Sequence, residues 1–129
     1  MGLKITLKPG ERMIIGGAVI TNGNGKANLI VENPVPILRQ KDIMSAEKAN
    51  SPARRIYFSI QLMYIDEANL ADHHKLYWKL VREFLDAAPS AMATIDGISE
   101  KILNRHYYQA LKKCKKLIAY EEEIIDSVQ

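Results

Sequence analysis

A single cysteine, Cys114, stands in 129 residues, so no disulfide can close within the chain. Its place on an apolar helical repeat reads as a buried thiol in a reducing compartment. Long apolar runs are missing as well. The longest, Met13 to Ile20, is interrupted by Gly16 and Gly17 and falls well short of the roughly 20 residues that span a bilayer. The first residues carry no apolar h-region, which leads us to expect no signal peptide and a cytoplasmic protein. Histidine is scarce and badly spaced for a metal. His73 and His74 are adjacent, so on a helix they diverge by about 100°, and no cysteine or acid joins them and His106 in a ligand set. Asn24-Gly25-Lys26-Ala27 lacks the upstream glycine and the Ser or Thr of a phosphate-binding loop. With no nucleophile placed beside a base, the chain reads as a non-enzyme, without cofactor or metal.

What is present describes a globular protein: 47% hydrophobic and 26% charged residues, at the size of one ordinary domain or of two small pieces sharing a core. The net charge of +3 is unevenly spread. Residues 1–58 hold nine Lys or Arg against four acids, and the remainder holds nine against eleven. A cationic half beside a mildly anionic one favours a polyanionic partner for the first.

The two halves are also patterned differently. Leu3, Ile5 and Leu7 alternate with Lys4, Thr6 and Lys8, the period-two mark of a half-buried strand that ends at Pro9-Gly10. Residues 12–15 and 18–21 read as two more strands, separated by Gly16-Gly17. Asn22-Gly23-Asn24-Gly25 predicts a tight hairpin turn into a fourth strand over 27–32. A fifth, over 35–40, is expected at an edge because of Pro36. About 40 residues are too few for a self-sufficient core, so this unit is expected to pack on the helices or to pair with a second copy as a homodimer.

Helical spacing begins at Ser51-Pro52, a good start signal. Ile56, Ile60 and Met63 mark a first helix, and residues 66–71 either continue or break it. Leu70, Tyr77, Trp78, Val81 and Phe84 mark a second stretch, ending near Pro89. One last helix is predicted to carry Ile98, Ile102, Tyr107, Leu111, Cys114, Ile118 and Ile125 on one face. The expected fold class is therefore α+β: a small five-stranded antiparallel β unit over 1–44, a hinge over 45–52, and a helical domain over 53–129.

Three segments carry a family resemblance: Leu3-Lys-Ile-Thr-Leu-Lys-Pro-Gly-Glu11, the junction running from Arg39-Gln-Lys-Asp-Ile-Met44 to Glu47 and Phe58, and the late run Tyr107 to Glu121. Together they resemble the FlbT family of bacterial flagellar regulators over nearly the whole chain. The resemblance implies a post-transcriptional regulator, a repressor that binds the 5′ leader of flagellin mRNA and reduces its translation and stability, alongside a small partner called FlaF. Within the first 40 residues, the order of strands around Pro9-Gly10-Glu11, Arg12-Met-Ile-Ile-Gly16 and Val35-Pro-Ile-Leu-Arg39 is also similar to the carbon storage regulator (CsrA) family. Those proteins are intertwined β dimers that read GGA in RNA loops. The match implies an RNA surface on Lys4 to Lys8 and Ile37 to Gln40, with Arg39 at the main base-contacting position. The basic pair that precedes the Gly-Glu turn in that family is Leu7-Lys8 in this chain and the central hairpin is several residues shorter, two departures that weigh against a GGA preference.

The candidate RNA-binding residues are Lys4, Lys8, Arg12, Arg39, Lys41, Arg54, Arg55 and Tyr57. Arginine forks grip phosphate oxygens in pairs and stack on bases, and clustered cations raise the local potential. The competing reading makes them a solvated surface with local ion pairs such as Arg39 to Asp42, and makes Lys4 and Lys8 strand-edge charges. Lys112, Lys113, Lys115 and Lys116 read chiefly as a solvated helix face that the run Glu121 to Glu123 can pair with, the alternative being a second RNA contact. The rival function is a protein-interaction module whose helices bind FlaF or flagellin helices, with an indirect effect on messages.

Overall fold

The computed structural model describes residues 2–128, with side chains as far as residue 125. The chain divides into two compact units, residues 1–43 and 44–129.

The first unit contains five antiparallel strands: β1 (Leu3–Leu7), β2 (Arg12–Ile15), β3 (Ala18–Thr21), β4 (Ala27–Val31) and β5 (Ile37–Arg39). They form two sheets, β1 with β4 and β3-β2-β5 in that order. In the first, Leu3 faces Val31 and Leu7 faces Ala27; in the second, Met13 faces both Ile20 and Arg39. Alternation does the rest. Ile5, Leu7 and Met13 turn inward and are buried, with Ile15, Leu29 and Ile37 packed against them, while Lys4 and Thr6 stay in solvent.

Two turn expectations change. β3 and β4 are not hairpin partners, because the chain crosses from one sheet to the other between them. Asn22 holds that crossing: its Nδ2 donates to the carbonyls of Lys8 at 2.9 Å and Gly25 at 2.7 Å. The two-residue hairpin is Gly16-Gly17, between β2 and β3, with φ of 56° and 88°. Positive φ at both central positions is what a type I′ turn requires. β5 also begins later than expected, at Ile37. Pro36 has no N–H to pair, and its carbonyl accepts instead from Gly16 at 2.8 Å.

The second unit has four helices: α1 (Pro52–Ile65), α2 (Leu70–Ala87), α3 (Met92–Leu103) and α4 (Tyr107–Val128). α1 packs on α2 and α4, and α4 packs on α3. Ser51 Oγ accepts from the N–H of Arg54 and Pro52 opens the first turn, as the sequence signals. The chain breaks at Asp66, whose Oδ2 accepts from Asn69 and pairs with His73 at 2.9 Å. Residues 45–52 fall within this second unit. Gln61 of α1 straps their start by both backbone groups of Met44, accepting from its N–H at 2.8 Å and donating to its carbonyl at 2.9 Å.

The single last helix expected from the apolar face is two helices. His106 N–H reaches the carbonyl of Lys101 and Arg105 N–H that of Ile102, a Schellman closure with Arg105 in the left-handed region at φ 61°. The buried face of α4 then runs through Ala110, Leu111, Cys114, Leu117 and Glu121, while Ile125 is exposed. Burial raises the Cys114 thiol pKa, consistent with a closed, unreactive position.

Candidate nucleic-acid interface

The turn after β1 places the first cations. Lys8-Pro9-Gly10-Glu11 closes with Glu11 N–H on the Lys8 carbonyl at 3.1 Å, and Gly10 takes φ 75°, as the third position of a type II turn demands. Glu11 then folds back, its Oε1 accepting the Lys8 N–H at 2.9 Å. Across from it, β5 delivers Arg39, whose guanidinium donates to the Thr6 carbonyl at 3.0 Å and to Glu11 Oε2 at 3.2 Å. Its Nε is buried without a partner among the described residues. The backbone hydrogen bond from Lys8 and, after it, the Arg39 pair hold the Glu11 carboxyl below its ordinary range.

Arg39 is thus not the free fork expected of a base reader, and Glu11 is an acid that it pairs with. It bridges a strand of one sheet to a strand of the other, on the inner side where it faces Met13 in register. The side chain is still 38% exposed.

Lys8 and Lys41 border a shallow cleft of about 420 Å³ together with Glu11 and Gln40. Both are exposed and neither makes an ion pair among the described residues. Gln40 is fixed by the Arg12 N–H, which donates to its Oε1 at 2.6 Å. Lys4 lies on the outward face of β1, opposite Ile30. Arg12 is exposed on β2.

The remaining candidates belong to the helical unit. Arg54 pairs with Glu122 at 2.8 Å. Arg55 is exposed at the start of α1. Tyr57 is only 3% exposed, because it lies with Ala53, Ile56, Ile60 and Met63 on the buried face of α1, and it cannot offer its ring to a base. Of the late lysines, Lys112 sits over the Tyr108 ring at 5.1 Å, and Lys113 and Lys116 flank Gly97. Of the acids expected to pair with them, Glu121 is buried and accepts the Ala53 N–H, and Glu122 takes Arg54.

A model of the family described as flagellar protein FlbT matches residues 3–125. The chain belongs to the FlbT family. Among its relatives, a probable flagellum biosynthesis repressor protein of Bradyrhizobium diazoefficiens is 46% identical over 96% of this chain and 85% of that protein. A probable flagellum biosynthesis repressor of Rhodopseudomonas palustris is 40% identical over 97% of this chain and 98% of its own length. The flagellum biosynthesis repressor of Caulobacter vibrioides is 37% identical over 99% and 92%. No solved structure matches the chain. Among the described residues, no helix is long and apolar enough to cross a membrane, and no cluster of His, Cys, Asp or Glu has the makings of a metal site.

Proposed function

We propose that this FlbT chain represses flagellum biosynthesis after transcription, binding the 5′ leader of flagellin mRNA on the β unit and limiting its translation and lifetime. One observation carries the reading: Glu11 is the one acid lining the Lys8–Lys41 cleft and is shared with Arg39 and a backbone N–H, so three cations face a single carboxylate and the cleft keeps a net positive charge. The names of the relatives support the repressor role.

The chemistry of the cleft defines how RNA is held. Residues 1–43 contain no Phe, Tyr or Trp, so this unit has no aromatic platform for base stacking. Affinity on it rests on phosphate contacts from Lys4, Lys8, Arg12 and Lys41, with backbone and Gln40 groups left to distinguish bases. Arg39 holds the surface in shape, and its exposed edge is available to the same strand.

The test is a titration of the full chain against a flagellin 5′ leader and a scrambled RNA at several salt concentrations. Specific binding is expected, with a steep salt dependence. Lys8→Ala with Lys41→Ala should weaken it and reduce the logarithmic salt slope by about 0.7 for each lysine that contacts a phosphate of single-stranded RNA. Equal affinity for both RNAs, or an unchanged slope in the double variant, would remove this cleft from RNA recognition.

The same unit supports a homodimer. Leu3, Val19, Ile30 and Val35 are exposed apolar side chains on a unit of about 40 residues, whose core is small for independent stability. Sedimentation equilibrium should return twice the 14.6 kDa chain mass.

A further inference from the structure

Residues 101–120 hold six cations, Lys101, Arg105, Lys112, Lys113, Lys115 and Lys116, and no acid. The four lysines of α4 lie in its first half, so the negative end of that helix does not account for them. Two of the glutamates that could offset them are used elsewhere: Glu121 accepts the Ala53 N–H and Glu122 pairs with Arg54. Lys113 and Lys116 make no ion pair among the described residues. Spaced three and four apart, the lysines repel one another along the helix. Acids border the run at Glu67, whose charge acts on Tyr107, and at Asp96 and Glu100 of α3, and they leave it net positive.

Helical geometry gathers this charge on one face. At about 100° per residue, Ala110, Cys114, Leu117 and Glu121 fill the buried arc of α4, and the four lysines span about 160° on the opposite side. Tyr108 falls inside the lysine arc and is 40% exposed, with the Lys112 Nζ 5.1 Å from its ring centre. Lys113 reaches across to α3, where its Nζ lies over Gly97, beside Lys116. The exposed large apolar side chains within residues 101–120 are Leu103 and Tyr108, too few for the stripe by which a helix lies on a lipid surface. A single exposed ring among lysines matches instead the stacking platform and cationic track that hold single-stranded nucleic acid.

We infer that this face of α4 is a second contact for the RNA, in which Lys113 and Lys116 grip phosphates and Tyr108 stacks a base, the Lys112 ammonium moving from the ring to a neighbouring phosphate. The β unit offers cations without an aromatic ring, and this face supplies one. Two contacts on one strand make the second an intramolecular step and raise affinity beyond either alone. This contact presupposes RNA binding by the chain, but it uses residues that the Lys8–Lys41 cleft does not share.

The experiment uses the full chain and a fluorescein-labelled flagellin 5′ leader, read by anisotropy across a salt series. Lys113→Gln with Lys116→Gln should weaken binding about tenfold and lower the logarithmic salt slope by about 0.7 for each lysine on a phosphate of single-stranded RNA. Lys75→Gln with Lys79→Gln, an equal loss of charge at exposed positions of α2, should leave affinity within about twofold of the parent. Tyr108→Leu should weaken binding about fivefold to tenfold with the slope unchanged. Thermal melts should find both lysine pairs at least as stable as the parent, since each exchange removes neighbouring like charges. Parent binding that Lys113→Gln with Lys116→Gln leaves unchanged, or that both lysine pairs weaken alike, would overturn the α4 contact while leaving RNA binding in place. An unchanged affinity in Tyr108→Leu would overturn the stacking. No binding by the parent would overturn both the α4 contact and the RNA reading of the chain. Phosphatidylglycerol vesicles that hold the parent and release Lys113→Gln with Lys116→Gln, with RNA affinity unmoved, would assign the face to a lipid surface instead.

Discussion

The backbone N–H of Ala53 donates to the side chain of Glu121 at 2.8 Å, joining the first turn of α1 to α4 across 68 residues of sequence. A helix begins with four N–H groups that have no partner within it. Ser51 takes that of Arg54, and Glu121 takes that of Ala53, where a carboxylate also suits the positive end of the helix dipole. The neighbouring Arg54–Glu122 pair joins the same two helices at the surface.

Burial separates these two ties in energy. Ala53 is fully buried, so Glu121→Ala leaves its N–H without an acceptor and should cost about 2–3 kcal/mol of unfolding free energy. Glu122→Ala, which removes a half-exposed ion pair, should cost less than about 1 kcal/mol. Urea unfolding of the two variants checks the ratio, and equal losses would mean that the buried bond does not hold α1.

Arg39 was read from the sequence as a base contact, and its geometry gives it a structural task. Arg39→Ala removes donors from the Thr6 carbonyl and from Glu11 and should destabilise the β unit by about 1–2 kcal/mol. Lys8→Ala and Lys41→Ala, at exposed positions, should stay within about 0.5 kcal/mol of the parent. Hydrogen exchange of the strand amides distinguishes them: faster exchange in Arg39→Ala alone supports the staple, and no change in any variant argues against it.

Strand placement was legible because Leu3, Ile5 and Leu7 alternate cleanly and because Pro9-Gly10 supplies its own turn chemistry. Which glycine pair makes the hairpin was not legible, since Asn22-Gly23 and Gly16-Gly17 both tolerate positive φ and only sheet pairing decides between them. The α3–α4 break carried one faint sign. Ile102 to Tyr107 is a step of five where a continuous helix wants three or four, but no Gly or Pro marks it. Burial of Tyr57 was readable from its place four residues after Ala53 and three before Ile60. The partner of Arg39 was not, because Glu11 lies 28 residues away and reaches it only through sheet packing. Glu121 was hidden for a similar reason: in a run of three glutamates, nothing local distinguishes the buried one.

Glu11 ties the cleft to pH. A glutamate ordinarily titrates near 4.5, and the Lys8 N–H and Arg39 hold this one lower in the folded state. A depressed folded pKa contributes stability that is complete above the unfolded value and is lost as pH falls through the folded one. Acidification below about pH 4.5 should therefore loosen the β1–β2 turn and release Arg39. Glu11→Gln should be less stable than the parent near pH 7 and should flatten the acid limb of the stability curve. Parallel acid limbs in the two proteins would show that Glu11 is not the group responsible.

Arg105 is the described non-glycine residue with positive φ, at 61°, and it occupies the position after the α3 cap where glycine is favoured. A side chain there brings Cβ close to the backbone, a strain that glycine escapes at some cost in unfolded-state entropy. The balance at a Schellman closure favours glycine, so Arg105→Gly should raise stability by about 0.5–1 kcal/mol with helix content unchanged. Arg105→Val, whose branched Cβ tolerates this region least, should lower it by about 1 kcal/mol or more. Arg105 also lowers the His74 pKa, as a secondary contribution behind burial, so removing its charge in either variant should shift that imidazole upward. Thermal melts read the first effect and NMR titration of His74 the second. If Arg105→Gly melted lower while His74 still moved up, the arginine side chain would be contributing more than its backbone strain costs, and the turn would owe its place to that side chain rather than to the chain geometry.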